Sequence, residues 1–223
     1  MKYYFILAAA GVGKRMGLNY PKQFLEYEGK PLFIKSLEIA NLSKVTDIII
    51  VTNAEYVKKV EEIVMEYNIQ NIKKVVSGGK ERQDSIYNAL KEVKELDSFL
   101  AVQDGVRPFL EKSYLDHGYD ILLKNKELSG VAVGVKVKDT IKKVSQDGII
   151  LETPERKNLI AIQTPQIFRT RELLEAYKKA YKENYLGTDD SSLVEKNGGI
   201  VKVIEGSYNN IKVTTPEDLK FLK

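Results

Sequence analysis

Between Leu7 and Phe24 runs LAAAGVGKRMGLNYPKQF, an apolar lead followed by two glycines, a Lys-Arg pair and a second lysine behind a proline. Gly11 and Gly13 let backbone N–H groups line a concave anion site. Lys14, Arg15 and Lys22 could then meet a polyphosphate on which negative charge grows during reaction. Pro21 stiffens the approach of Lys22. The stretch fails both common phosphate fingerprints. After Gly13 the next glycine is Gly17, one place late for GxGxxG, and the second candidate strand closes in Thr52-Asn53 instead of an acid. Gly13-Lys14 is followed by Arg15, where a Walker A loop needs Ser or Thr. As an isolated cluster, these cations read more simply as solvated surface charge, since 30% of the chain is charged.

Other polar clusters supply company. SGGKERQDS (77–85) follows a candidate strand and opens a helix, so Gly78-Gly79 permit close backbone approach while Arg82 and Ser85 point back from the first turn; alone, it reads as a tight turn. VQDGVRP (102–108) puts Asp104 at the carboxyl end of a strand, where open α/β sheets bind ligands. One carboxylate plus phosphate oxygens suffices for Mg²⁺, which keeps most of its waters. The competing reading is an aspartate turn closed by Gly105 with Arg107 paired to it. TPERKN and GTDD add Arg156 and Thr188-Asp189-Asp190, with Asp189 better explained as a helix cap than as a metal ligand. NNIKVTTPEDL places Lys212 in a short alternating strand, where a lysine is expected to face outward. His117 lies apart from every cluster and reads as structural or surface.

The elements that must position these residues follow a crossover rhythm. Candidate strands are 3–7, 47–52, 72–77, 99–103, 131–137 and 201–204; candidate helices are Pro31 to about 41, 55–67, 82–96, 112–125, 171–182 and a short one capped by Thr188 or Asp189. Pro31 suits the first helical position and Pro216 that of a terminal helix capped by Thr215. Residues 138–166 break the rhythm with two β-prone runs joined at Asp147-Gly148, a hairpin signal. Such a hairpin exposes Ile149, Ile150 and Leu151, and folding back onto its own sheet or being covered by a partner subunit stand level at this point.

Composition narrows the classes. Thirty-five basic against 31 acidic residues leave +4, too little for a nucleic-acid binder. With no cysteine and one histidine, disulfides and thiolate or His-rich metal sites are excluded, leaving hard ions on carboxylates. The N-terminal apolar run is too short for a membrane span and is followed directly by the glycines, so a buried strand and a cytoplasmic protein with no membrane partner are expected. The length and the 43% apolar content suit one main domain.

In order, LAAAGxGxRM, PKQ, GGxxRxxS, DxxRP, the Thr140 segment, QTPQ, GTDD and NIKVTTPEDL span essentially the whole chain. Together they resemble the 2-C-methyl-D-erythritol 4-phosphate cytidylyltransferases of the non-mevalonate isoprenoid pathway. The resemblance implies a Rossmann-like nucleotidyltransferase domain with a mostly parallel sheet flanked by helices. It also implies a protruding β-arm at about 138–158 that makes a homodimer, with Mg²⁺ as cofactor and CTP as co-substrate. It assigns Arg15 and Lys22 to the transition state at the α-phosphate, and Arg156 and Lys212 to positioning the attacking sugar-alcohol phosphate. Ala9, Ala10, Gly79, Arg82 and Ser85 would surround the cytosine, Gly11 and Gly13 would underlie the triphosphate, and Asp104 would hold the metal. Arg107, Thr140, Thr164 and Thr188 join Arg156 and Lys212 around the second substrate, with Thr140 and Arg156 reaching across the dimer. A phosphate nucleophile is already anionic, so a site without histidine is consistent with this chemistry. The chain departs from the family at Gln103, where many members have histidine, and at Val106, where they have alanine. Ribitol 5-phosphate cytidylyltransferases share the glycine loop, PKQ and the terminal pattern, but GTDDSSLVE and TPERKNLIAIQTPQ look more like the methylerythritol enzymes. A nucleotide sensor on the same fold would be expected to lose Lys22 or Arg156, and both are present.

Overall fold

The computed structural model describes residues 1–11 and 21–222. In chain order the strands are β1 (Tyr3–Ala9), β2 (Glu26–Tyr27), β3 (Lys30–Pro31), β4 (Asp47–Thr52), β5 (Ile72–Ser77), β6 (Phe99–Asp104), β7 (Gly130–Lys136), β8 (Lys143–Val144), β9 (Ile150–Glu152), β10 (Ile160–Arg169) and β11 (Val201–Glu205). The helices are α1 (Leu32–Leu42), α2 (Val57–Glu66), α3 (Arg82–Leu90), α4 (Lys112–Lys124), α5 (Thr170–Lys182) and α6 (Asp190–Lys196). The central sheet runs β11-β7-β10-β6-β1-β4-β5. Its pairings are parallel except that β10 runs antiparallel to both neighbours.

The alternation along β1 explains the layers. Tyr3, Phe5 and Leu7 turn to one face, where Phe33, Leu37, Val60, Leu115 and Leu122 of α1, α2 and α4 cover them. Tyr4 and Ile6 turn to the other, beneath Ile86, Leu173, Tyr177 and Leu193 of α3, α5 and α6. Both faces are buried, so the central strands are continuous apolar runs. This is the expected α/β architecture, a mostly parallel sheet flanked by helices. Among the described residues no helix is long and apolar enough to cross a membrane.

Several expectations are corrected. The second β-prone run of 138–166 divides: Ile150–Glu152 forms the outer hairpin with Lys143–Val144, while Ile160–Arg169 is a central strand. Residues 211–214, including Lys212, form no strand; backbone and side-chain hydrogen bonds to neighbouring elements shape them instead. The helix opening at Arg82 ends at Leu90 instead of 96, because Glu92 and Val93 turn back in bonds to the carbonyls of Ala89 and Leu90 that bury Val93. Pro31 is the N-cap of α1, since Lys30–Pro31 first pairs with Glu26–Tyr27. Asp189, not Thr188, caps α6, accepting from the Ser192 N–H at 2.9 Å. His117 lies exposed on α4, as expected.

The hairpin leaves the sheet between β7 and β10 and turns at Gly148, whose φ of +81° suits glycine. Ile149, Ile150 and Leu151 are 64%, 59% and 60% exposed, and Val144 53%. It does not fold back onto its own sheet.

Candidate active site

The sheet reverses its winding between β1 and β6: β4 and β5 lie on one side of β1, β6 and the remaining strands on the other. A cavity of about 510 Å³ opens at the carboxyl ends of these strands, the position at which open α/β sheets bind ligands. Ala8–Gly11 leave β1 into it, Asn53 and Ala54 follow β4, Gly78 to Arg82 follow β5, and Asp104 closes β6. Lys22 and Lys212 complete its charged wall.

Each side chain is held by its own element. The Gly78 N–H donates to the Thr52 carbonyl at 2.7 Å, and a Cβ at Gly78 would lie 2.6 Å from that of Ala10 and 2.9 Å from Ser85 Oγ. Glycine is required here so that the loop can pack against β1. Ser85 Oγ accepts from the Gly79 N–H and donates to the Glu81 carbonyl, both at 3.0 Å, so it shapes the loop. Lys22 stands in a 3-10 turn opened by Pro21, and the next residue, Gln23, is buried and donates to the Ala9 carbonyl at 2.5 Å. That bond ties the lysine turn to the end of β1. The C-terminal turn lies close by: burial pushes the Asp218 carboxyl up, but hydrogen bonds from Thr215 and Thr214, with the Lys22 charge, bring it below its ordinary value.

Asp104 is the electrostatic centre. Its carboxylate receives Lys212 Nζ at 2.7 Å and Arg82 Nε at 3.3 Å, with Arg107 Nε at 3.8 Å. Burial would raise its pKa; Arg82, Lys212 and Arg107 override that and hold it well below the usual carboxylate range. Burial likewise opposes the charge on Arg82, yet Asp190 and Asp104 together raise it. Three cations, Arg82, Arg107 and Lys212, thus surround the two carboxylates Asp104 and Asp190, a net positive cluster beside the cavity.

Lys212 is aimed inward by a strap. Asn210 is wholly buried and donates to the Thr164 carbonyl at 2.9 Å, Arg107 Nη1 donates to the Asn210 carbonyl at 2.6 Å, and the Val213 N–H donates to the Val106 carbonyl at 2.9 Å. Thr164 Oγ1 in turn accepts from the Asp104 N–H at 3.1 Å. The loop after β11 is thus held on both sides of Lys212, by β10 and the turn after β6 at Asn210 and by that turn again at Val213.

Of the expected site residues, Ala9, Ala10, Gly11, Lys22, Gly79, Arg82, Ser85, Asp104 and Lys212 come together on this wall. Gly13, Lys14 and Arg15 lie outside the described residues. Thr164 and Arg107 sit behind the wall, where their polar groups support Asp104 and the strap. Thr188 is exposed ahead of α6. Thr140 and Arg156 lie exposed on the arm, Arg156 Nη1 donating to the Lys138 carbonyl at 2.9 Å, away from the chain's own cavity. Sequence patterns assign no individual role to Gln23, Gln166, Tyr177 and Asn210, and Asp190 stands there only as the second acid of GTDD. Asp190 was the most readable, a charge that shares the inward face of a short helix with Leu193 and Val194 at i+3 and i+4.

No group of three or more His, Cys, Asp or Glu capable of caging a metal exists among the described residues. The donor set is one strand-end carboxylate, which fits a hard ion ligated mostly by phosphate and water.

Known proteins place this geometry in a family. The IspD family model, 2-C-methyl-D-erythritol 4-phosphate cytidylyltransferase, matches residues 3–222. The enzyme of that description from Fusobacterium nucleatum is 50% identical over 100% of this chain and 96% of its own. The one from Clostridioides difficile is 43% identical over 97% and 90%. The crystal structure of the 4-diphosphocytidyl-2C-methyl-D-erythritol synthase from Anaerococcus prevotii superposes with a TM-score of 0.86 at 31% identity, covering 99% of this chain and 94% of that one. The Francisella tularensis cytidylyltransferase gives 0.82 at 28% identity, covering 99% and 98%. With its cavity at the β1/β6 crossing and its match from end to end, the chain belongs to the 2-C-methyl-D-erythritol 4-phosphate cytidylyltransferase family.

Proposed function

We propose that this member of the family transfers the cytidylyl group of CTP to 2-C-methyl-D-erythritol 4-phosphate, a step toward isoprenoid precursors, and that the cavity around Asp104 is where it does so. The observation that carries the reading is the convergence of Lys22, Arg82 and Lys212 on one wall, at the strand ends where a nucleotide lies in sheets of this kind. A phosphate oxygen of the sugar alcohol attacks the α-phosphorus of CTP, the bond from that phosphorus to the bridging oxygen breaks, and pyrophosphate leaves. The nucleophile is anionic near neutral pH, so no side chain need remove a proton. The work of the protein is in-line positioning and neutralisation of charge growing on phosphorus.

Lys22 and Arg15 are the residues for the α-phosphate, Lys212 for the incoming phosphate, and Ala9, Ala10, Gly79 and Ser85 for the base, with Gly11 and Gly13 beneath the triphosphate. Asp104 would hold Mg²⁺, which when bound supplies charge neutralisation on the phosphates. Purified protein with Mg²⁺, CTP and methylerythritol phosphate is expected to release pyrophosphate in a coupled assay. Release with ribitol 5-phosphate and none with methylerythritol phosphate would overturn the substrate assignment.

The functional unit we propose is a homodimer in which each arm lies against the partner, bringing Thr140 and Arg156 toward the partner's cavity. Support comes from the apolar residues that the chain itself leaves bare on the arm, Val144, Ile149, Ile150 and Leu151. Successive strand residues point to opposite faces, so both faces of the ribbon carry apolar side chains. The double substitution Ile150→Glu and Leu151→Glu is expected to give a monomer in sedimentation velocity, with turnover reduced at least tenfold. A fully active monomer would refute the exchange.

A further inference from the structure

Arg82 stands between two carboxylates. Its Nη2 donates to Asp190 Oδ2 at 2.7 Å and its Nε to Asp104 Oδ1 at 3.3 Å. Among the described residues Nη1 has no partner, and the side chain is one-third exposed at the cavity wall. Asp190 is wholly buried and is no part of that wall. Its second oxygen accepts from the buried Tyr177 hydroxyl at 2.5 Å, and the Tyr177 ring stacks on Tyr87 with planes 9° apart. Gln166 steadies the helix start, donating to Asp189 Oδ2 at 2.7 Å and accepting from the Ser191 N–H at 2.9 Å.

A buried ion pair seldom stabilises a fold more than apolar residues of the same volume would. The Asp190–Arg82 pair therefore calls for a different account. Without Asp190 the nearest anion for the guanidinium is Asp104, and arginine takes a carboxylate most readily with two parallel N–H donors. That arrangement would commit two donors of Arg82 to Asp104 instead of to a ligand and occupy both oxygens of that carboxylate.

We propose that Asp190 is a positioning residue for nucleotide binding: by holding Nη2 from behind, it presents Nη1 of Arg82 to the nucleotide and keeps Asp104 from being captured by the same guanidinium. The inference rests on CTP occupying this cavity. Asp190 touches no ligand and acts through Arg82 alone.

Calorimetric titration of CTP in Mg²⁺ buffer, without the sugar phosphate, tests it on four proteins: wild type, Asp190→Asn, Arg82→Gln and the double variant. Wild type is expected to bind, each single variant to bind at least tenfold more weakly, and the double variant no more weakly than Arg82→Gln. A merely structural role would make the losses multiply, and that result overturns the inference, as does a folded Asp190→Asn protein within twofold of wild type. Failure of wild type to bind CTP would sink the nucleotide reading itself, a separate outcome. Should near-UV circular dichroism show Asp190→Asn unfolded, Tyr177→Phe removes one support of Asp190 at constant volume. It is expected to weaken CTP two- to fivefold, and unchanged affinity would refute the proposal.

Discussion

Replacing Lys22 with alanine is expected to lower kcat by on the order of 100- to 1000-fold while CTP affinity changes by less than about fivefold. The asymmetry follows from where the cation is held. Lys22 is only 8% exposed, its turn opens at Pro21, and Gln23 ties that turn to the Ala9 carbonyl, so the turn that carries it is anchored before any ligand arrives. A preorganised charge gains most from the state in which negative charge on the α-phosphorus is greatest, which is the transition state and not the bound nucleotide. Single-turnover kinetics beside equilibrium titration separates the two effects. Equal losses in turnover and binding would demote Lys22 to a ground-state contact. A thermal melt belongs beside them, because the Lys22 charge also acts on Asp218 in the C-terminal turn.

Most strands were legible because strands buried on both faces read as apolar runs between turn signals, as in Asp47–Thr52 and Phe99–Asp104. The exception, Ile160–Arg169, hides for a physical reason. Its middle is Gln163-Thr164-Pro165-Gln166, and two glutamines with a proline argue against a central strand. Tertiary partners make it possible: Gln163 donates to the Ser207 carbonyl, Thr164 accepts from the Asp104 N–H, and Gln166 bonds to Asp189 and Ser191. The register against β7 shifts between Ile162 and Gln166, the stretch that holds the proline. None of these partners lies near in sequence, so no local pattern announces that the end of the second β-prone run enters the central sheet.

The same division holds in the cavity. Residues at or just after strand ends, such as Asp104, Gly79 and Arg82, could be placed from the rule that ligands bind at carboxyl ends. Lys212 could not, because its direction is set by the strap through Asn210, Arg107 and Val213 and not by an alternating strand. The role of Asp190 was hidden too: the residue was visible, but its pairing with Arg82 joins positions 108 apart in the chain.

Asp104→Asn is the second substitution with a large expected effect, and its signs differ between readouts. At neutral pH it should destabilise the fold by about 2 to 4 kcal/mol, since removing one member of a buried ionic cluster leaves the others unpaired. The figure sits below that for a wholly buried pair because water reaches Arg82 and Lys212, whose side chains are 33% and 37% exposed. The loss should shrink in acid. The folded-state pKa of Asp104 is depressed, so its contribution is fully present above the ordinary carboxylate value near 4 and fades as pH falls toward the folded value. Stability curves of wild type and variant should therefore converge on acidification, and a constant gap would show that the cations do not stabilise the ionised form. Binding should move the other way. With the carboxylate gone, Arg82 meets the nucleotide with one fewer opposing charge, so CTP affinity in chelator-treated buffer should hold or tighten. Turnover with Mg²⁺ should nevertheless fall at least 100-fold, because Asp104 is the carboxylate we propose to hold the ion. A variant that retains turnover and its Mg²⁺ dependence would remove Asp104 from the metal site and leave it as the anchor of three cations.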